Sequence, residues 1–179
     1  MMRPVIVLTA VGICSALLLG VVNSFTQQPI KDALEKVKIE AVRSVFPFDV
    51  KDVKTVEDGG TVYYEVRAGK KLKGLAVETY TDKGFSGKIT ILLAVSPEFK
   101  IYDYKVLQHL ETPGLGDKMI KDDFRKQFKG KSLKGFTWKV KKDGGSVDAI
   151  TAATISSRAV TDALERGLKL LSKKYGGKK

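Results

Sequence analysis

The amino-terminal stretch of this chain is apolar over a length that few folds can accommodate. No residue from 4 to 22 is charged, and at about 1.5 Å per residue a helix of this stretch reaches roughly 28 Å. The stretch is therefore predicted to cross a membrane. A cleaved signal peptide is the alternative, but the run is longer than a usual signal core, and residues 21–25 lack the small residues of a cleavage site.

The charges that flank this stretch predict its orientation. The amino terminus and Arg3 precede it, and the positive-inside bias places them in the cytoplasm. Residues 1–26 are then a transmembrane helix in a bacterial or archaeal cell membrane, 27–47 a linker helix, and 48–179 an extracytoplasmic domain. The linker helix is predicted from apolar residues at helical spacing, which are Ile30, Leu34, Val37, Ala41 and Val45.

Composition restricts the chemistry that the chain can perform by itself. Cys14 is the single cysteine and His109 the single histidine, which excludes an intramolecular disulfide, a multi-cysteine cluster and a histidine-based zinc site. The net charge of +12 indicates an anionic partner, although the lysines are spread along the chain without interleaved aromatic residues, unlike a nucleic-acid stacking platform. One hypothesis is therefore a membrane-anchored basic module that binds anionic lipid or polymer without a cofactor.

The pattern after the linker predicts an α+β domain with a mainly antiparallel sheet packed by helices. Short runs rich in β-branched and aromatic residues, separated by glycine-containing turns, predict strands at 61–67, 74–80, 88–95, 101–110 and 136–140. Apolar residues at helical spacing predict a short helix at 119–128 and a long amphipathic helix at 155–173.

Three short segments carry residues suited to a binding site. In chain order they are Gly84-Phe85-Ser86-Gly87, then Glu111-Thr112-Pro113-Gly114-Leu115-Gly116, then Asp148-Ala149-Ile150-Thr151-Ala152-Ala153-Thr154. Glycine removes side-chain bulk, so a flat ligand could lie against the second segment. Each segment also has a simple structural explanation, as a hairpin turn, a tight loop and a helix cap respectively.

The third segment precedes the long helix and could bind an anion. Asp148 and Thr151 are both N-cap residue types, so a helix is predicted to open just after them. Thr154 would then face unpaired backbone N–H groups and the positive end of the helix dipole, a favourable position for phosphate. Arg158, one turn later, could reach that phosphate or be an ordinary surface arginine. These residues alone leave the cap and the anion site both open.

The order of the three segments behind one membrane span resembles the G subunit of the Rnf-type ion-translocating electron transport complex. The related C subunit of the sodium-pumping NADH:quinone oxidoreductase is longer, so the Rnf protein is the better match. The attachment pattern of that family is Asp-x-x-Ser/Thr-Gly-Ala-Thr, which Asp148, Thr151, Ala153 and Thr154 match. Ala152 replaces the glycine of the pattern; since a methyl group is a small change, modification is still expected.

The resemblance implies an electron-transfer flavoprotein subunit that does not turn over alone. FMN would be joined through its phosphate to Thr154 by a flavin transferase, in a complex that couples electron transfer between ferredoxin and NAD to sodium or proton translocation. Its partners would be the other membrane subunits, with no nucleic acid, no metal and no catalytic residue. The flavin site implied by the resemblance consists of Thr154 together with Glu111, Thr112, Gly114, Leu115, Gly116, Thr151, Ala152, Ala153 and Arg158.

Overall fold

The computed structural model describes residues 2–177, apart from the side chains of residues 28 and 30–32. It divides the chain into two compact units, Met1–Glu40 and Ala41–Lys179. Helix α1, Met2–Ser44, continues through Pro29 without interruption and contributes its last residues to the second unit. Of the residues described, one stretch is long and apolar enough to cross a membrane, Met2–Gln27, and none of its residues is buried.

The second unit is built on a five-stranded antiparallel meander. Strands β1 (Asp52–Asp58), β2 (Thr61–Ala68), β3 (Lys71–Gly84), β4 (Gly87–Val95) and β5 (Ile101–Gln108) pair in sequence order. Short connections explain this order, because each neighbour along the chain is the nearest strand available for pairing. The predicted α+β class with a mainly antiparallel sheet is confirmed.

Both faces of the sheet are covered, which explains why β4 is buried along most of its length. Helix α3, Thr154–Tyr175, packs on one face, where Leu75, Val77 and Leu93 join its apolar stripe. The end of α1 and residues 45–50 cover the other face, where Ala76, Leu92 and Ala94 point. Successive side chains alternate between the two faces of a strand, so a strand with two covers becomes a continuous apolar run.

The segment between β5 and α3 differs from the sequence predictions. In place of one helix at 119–128 it contains a 3₁₀ turn at Gly116–Ile120, a single-turn helix α2 at Asp122–Arg125 and another 3₁₀ turn at Lys126–Phe128. The predicted strand at 136–140 is also absent, and only Val140 forms an isolated bridge, to Val147. Its alternating pattern has another cause: Phe136 and Trp138 turn inward onto Phe128, whose ring stacks on Trp138.

Candidate functional site

The loop that leads into α3 is held in one conformation by a buried serine. Ser157 Oγ accepts a hydrogen bond from the Ile150 N–H at 2.9 Å and donates one to the Ala153 carbonyl at 2.9 Å. The Ala153 N–H closes a turn on the Ile150 carbonyl at 3.0 Å. Between them Ala152 adopts a left-handed conformation with φ +60°. This conformation costs an alanine about 1–2 kcal/mol relative to glycine.

Helix α3 begins at Thr154 and has no side chain that caps it. The N-cap position is Ala153, whose methyl group cannot accept a hydrogen bond. Neither predicted cap is used: Asp148 forms an ion pair with Lys141 at 2.8 Å, and Thr151 lies in the loop before the helix. The first N–H groups of a helix lack intrahelical partners and carry its partial positive charge. An anion attached at Thr154 would therefore meet unoccupied donors.

Glu111 joins three segments beneath this helix start. Glu111 is only 4% exposed, and its Oε1 accepts a hydrogen bond from the Ser86 N–H at 2.9 Å. Its Oε2 accepts a short hydrogen bond from the hydroxyl of Ser156, which is also buried. Ser86 belongs to the β3–β4 turn and Ser156 to the first turn of α3. The side chain thus fixes the turn, its own loop and the helix relative to one another.

Two glycines are required by the position of this carboxylate. A Cβ on Gly84 would lie 2.2 Å from the Gly87 carbonyl oxygen and 2.8 Å from Glu111 Oε1. A Cβ on Gly116 would lie 2.7 Å from Glu111 Oε2 and 2.6 Å from Ser156 Oγ. All of these distances are shorter than side chains tolerate, so close packing around Glu111 and the β3–β4 turn excludes any larger residue at either place. The first and second glycine-bearing segments therefore meet at one carboxylate.

A cavity of about 300 Å³ opens above this junction. Its rim is apolar, with Phe85 67% exposed, Ile155 44% and Leu115 40%. Its base contains the Glu111–Ser156 pair, and one wall is the start of α3. Apolar walls with a few polar groups at one end are typical of a site for a flat organic ring that carries a phosphate. The lining residues are Phe85, Glu111, Thr112, Leu115, Gly116, Ala152, Ala153, Thr154, Ile155 and Ser156.

Seven of the ten residues that the sequence proposed for the flavin site line this cavity. The other three do not. Gly114, with φ +76°, supports the turn behind Leu115, and Thr151 lines a separate cavity. Arg158 makes two hydrogen bonds of 2.7 Å to Asp143, and this pairing holds the pKa of the Asp143 carboxyl below its usual value.

Phe85, Ile155 and Ser156 also line the cavity but were not among the proposed residues. A signal existed for Phe85, because an aromatic residue between two glycines in a turn is exposed unless it meets a ligand or partner. Ile155 and Ser156 adjoin Thr154 and follow from the helix start. Within the described residues no group of three histidine, cysteine, aspartate or glutamate side chains could hold a metal ion.

Comparisons with known proteins agree with this geometry. Residues 84–169 match the family model described as FMN-binding domain, which spans all three segments. NqrC of Shewanella oneidensis is 28% identical, with a TM-score of 0.53 over 65% of this chain and 61% of that one. The C subunit of the Na(+)-translocating NADH-quinone reductase from Parabacteroides distasonis shares the fold, with a TM-score of 0.54 over 69% of this chain and 77% of that one, at 22% identity. Fold and site together define an FMN-binding domain that follows a membrane-length helix.

Sequence relatives narrow this class to one family. The G subunit of an ion-translocating oxidoreductase complex from Cereibacter sphaeroides is 32% identical, covering 90% of this chain and 80% of that protein. The G subunit of the proton-translocating ferredoxin:NAD(+) oxidoreductase complex of Clostridium ljungdahlii is 37% identical over 68% of this chain and 65% of its own length. The chain belongs to the G-subunit family of ion-translocating oxidoreductase complexes, as the sequence motifs predicted, and is thus part of a multisubunit complex.

Proposed function

We propose that this protein carries FMN covalently, through a phosphate ester to Thr154, and transfers electrons within a complex that moves sodium ions or protons. The observation that supports this most directly is the position of Thr154. It is the first residue of an uncapped helix and lines a cavity whose other walls are the two glycine-bearing segments. By analogy with the Clostridium ljungdahlii relative, the complex exchanges electrons between ferredoxin and NAD.

Each part of the cavity has a role in this proposal. The N–H groups that open α3 offset the charge of the phosphodiester, and Ala152 and Ala153 leave room for it. The apolar rim of Phe85, Leu115 and Ile155 receives the ring, while Glu111 keeps the walls in register. Arg158 already has a carboxylate partner in Asp143, so it contributes to the phosphate only if that ion pair opens.

Bound flavin can accept electrons in pairs and release them singly, and its surroundings set its potential. In this proposal a flavin transferase attaches the FMN, and the Thr154 hydroxyl supplies the oxygen of the ester bond. The other redox centres lie in the neighbouring membrane subunits, so the isolated protein does not turn over. A covalent link retains the cofactor where free FMN is not replenished.

A compartment in which free FMN is not replenished fits the predicted topology, because that topology places the domain outside the cytoplasm. Residues 1–26 cross the cell membrane with the amino terminus in the cytoplasm, 27–47 link the span to the domain, and 48–179 form an extracytoplasmic FMN-binding domain. The apolar helix Met2–Gln27 and the basic residue Arg3 at its start support this arrangement.

Denaturing electrophoresis of full-length protein from its native host tests the proposal. Wild type should give a fluorescent flavin band that survives denaturation, and Thr154→Ala should give none. Thr137→Ala is the control, because Thr137 is an exposed threonine of the same domain that lies outside both the cavity and the attachment pattern, and it should keep the band. Fluorescence that persists in Thr154→Ala would contradict the attachment site, and a colourless wild type would instead favour a cofactor-free basic module.

A further inference from the structure

Glu111 has the one ionisable side chain among the ten residues described as lining the cavity. Both of its carboxylate oxygens accept hydrogen bonds, Oε1 from the Ser86 N–H at 2.9 Å and Oε2 from the Ser156 hydroxyl. An ionised carboxylate acts only as an acceptor, so this is the hydrogen-bonding pattern of the charged form. The base of the cavity therefore carries a negative charge that water hardly reaches, because Glu111 is almost fully buried.

No described cation forms an ion pair with this carboxylate. The ion pairs among the described residues do not include Glu111. Arg158, which the sequence placed near the phosphate, pairs with Asp143 instead. The start of α3 offers positive charge through Ser156, but a helix terminus supplies only about half an elementary charge. The charge of Glu111 is therefore offset only in part.

The hydrogen bonds of Glu111 do not by themselves require a charged residue. A glutamine has the same length and could direct its carbonyl oxygen to the Ser86 N–H and its amide group to the Ser156 oxygen. Burying a charge costs more free energy than burying an amide whose hydrogen bonds are made. The fold nonetheless accommodates the carboxylate, with glycines at positions 84 and 116 that leave it room. The charge itself therefore needs an explanation beyond the joining of three segments.

We propose that the negative charge of Glu111 lowers the redox potential of the flavin. This inference rests on the proposed function, because it requires FMN in this cavity. A flavin that takes up two electrons and one proton gains a negative charge, and a fixed negative charge beside the ring disfavours that gain. Glu111 thus stabilises the oxidised ring relative to the reduced ring, which lowers the potential.

The apolar rim of the cavity strengthens this effect. Phe85, Leu115 and Ile155 line the cavity together with Glu111 and keep water away from its base. The interaction between two charges grows as the local dielectric constant falls. A carboxylate in this position therefore acts on a bound ring more strongly than a surface carboxylate at the same distance.

A lowered potential suits the position of the flavin in the proposed complex. The proposed electron path runs between ferredoxin and NAD through the neighbouring membrane subunits, and ferredoxins have low potentials. A flavin whose potential is also low can exchange electrons with such centres while losing little free energy. The charge of Glu111 would thereby conserve energy for ion translocation.

The test is a redox titration of full-length flavoprotein from its native host, followed through the visible absorbance of the flavin. Glu111→Gln removes the charge and keeps the length of the side chain. Glu57→Gln is the matched control, because it makes the same change at an exposed glutamate of β1 that does not line the cavity. Ser156→Ala keeps the charge and removes one hydrogen bond, so it separates the charge from the position of the wall.

Glu111→Gln should shift the balance between oxidised and reduced flavin toward the reduced form by about tenfold at a fixed applied potential, a rise of about 30 mV for a two-electron couple. The shift should persist at high salt, because salt screens a buried charge little. Glu57→Gln and Ser156→Ala should each change the ratio by less than about twofold. An unchanged potential in Glu111→Gln, or an equal rise in Ser156→Ala, would overturn the proposal.

Thr112→Lys tests the same charge effect without altering Glu111, in case Glu111→Gln carries no flavin. Thr112 is exposed and lines the cavity, so a lysine there adds positive charge and leaves the hydrogen bonds of Glu111 in place. Its potential should rise, and no rise would contradict the proposal. Wild type is assayed for flavin first: a wild type without flavin defeats the proposed function and this inference together. Flavin on Thr154 whose potential does not respond to these variants defeats this inference alone.

Discussion

Ala152 stands where the attachment pattern has glycine, and it is one of two described non-glycine residues with a positive φ, the other being Phe99. The φ of +60° at Ala152 is a value that glycine adopts without cost, and the loop is fixed on both sides by the hydrogen bonds of Ser157. The hydrogen bonds around Ala152, and not a preference of alanine, therefore account for the left-handed conformation. The strained backbone at Ala152 brings Ala153 and Thr154 into the cavity wall.

The stability of variants at position 152 should follow how readily each residue adopts a positive φ. Ala152→Gly is expected to raise the free energy of unfolding by about 0.5–1 kcal/mol, because relief of strain exceeds the added flexibility of the unfolded chain. Ala152→Val should lower it, since a β-branched residue tolerates positive φ poorly, and should reduce the flavin content. Urea unfolding measures the stability of each variant, and the flavin-to-protein absorbance ratio measures its flavin content. A valine variant as stable as the glycine variant would show that the loop is not constrained as described.

The fold should tolerate loss of the negative charge at position 111 better than loss of the hydrogen bonds that the Glu111 side chain accepts. Glu111→Gln keeps an acceptor for the Ser86 N–H and a polar group beside Ser156, whereas Glu111→Ala leaves both buried partners unpaired. An unpaired buried group costs about 1–3 kcal/mol, so the alanine variant should lose about 2–4 kcal/mol and most of its covalent flavin. Urea unfolding combined with in-gel flavin fluorescence provides the measurement. Equal losses in the two variants would contradict the role given to these hydrogen bonds.

At the scale of single residues, the sequence identified segments that the fold brings together at one cavity, but it could not supply their contacts. The glycines, Glu111 and Thr154 were recognisable as a motif, and seven of the ten proposed residues line one cavity. The Glu111–Ser156 hydrogen bond joins positions 45 residues apart, and the Arg158–Asp143 pair depends on where an irregular loop passes. Such long-range contacts leave no periodic trace in a single sequence.

Among the elements, β5 and the 3₁₀ turn after it are linked by Tyr104. Its buried hydroxyl donates a hydrogen bond to the Met119 carbonyl at 2.6 Å, and burial raises the pKa of this phenol far above its usual value. Tyr104→Phe keeps the ring and removes the donor, so the protein should lose about 1–3 kcal/mol of stability, with a raised rate of amide exchange around Met119. Unchanged exchange at residues 116–120 would show that the turn is held by other contacts.

Helix α3 meets the sheet at Gly167 with little space between them. A Cβ there would lie 2.9 Å from a Leu93 methyl carbon and 3.2 Å from the Thr79 methyl carbon. Gly167→Leu should therefore destabilise the fold by about 2–3 kcal/mol despite the higher helix propensity of leucine. Lys169→Leu, on the exposed side of the same helix, is the control and should change stability little. Thermal unfolding of both proteins in detergent decides this, and equal melting temperatures would contradict such close packing.

The ion pair between Lys83, near the end of β3, and Asp162 of α3 predicts that the stability of the fold depends on pH. Burial alone would raise the pKa of Asp162, but hydrogen bonds from Lys83 and Thr81 outweigh it and hold that pKa below its usual value. The carboxylate therefore stabilises the fold above its unfolded pKa, about 3.9, and this contribution disappears as the pH falls through the lower folded value. Asp162→Asn should flatten the acidic limb of the stability profile. An unaltered limb in urea titrations would exclude this pair as its source.

The elements that periodicity predicted well are those with one or two flat, covered faces. Strands β2–β5 and helix α3 repeat their apolar residues regularly because they pack on a regular neighbour. The segment at 116–147 packs around Phe128, Phe136 and Trp138 in short turns, so the same spacing gave a helix and a strand that do not form. Packing around a few large rings can satisfy an alternating pattern without a sheet.

At the scale of the whole molecule, the second unit combines a sheet that is covered on both faces with a cavity at the start of α3. The net charge of +12 and the excess of lysine and arginine in residues 118–142 are both visible in the sequence, whereas the cavity exists only in the folded domain. A membrane-length helix at one end of the chain and a flavin-type cavity in the domain agree with the family to which the chain belongs.

The attachment of FMN to Thr154 is the claim on which the functional account depends, and mass spectrometry tests it most directly. Full-length protein purified from native membranes should have the mass of the chain plus one FMN less one water, and fragmentation should place the added mass on Thr154 within the peptide that spans residues 143–158. A chain of unmodified mass, or FMN located on another residue, would contradict the account.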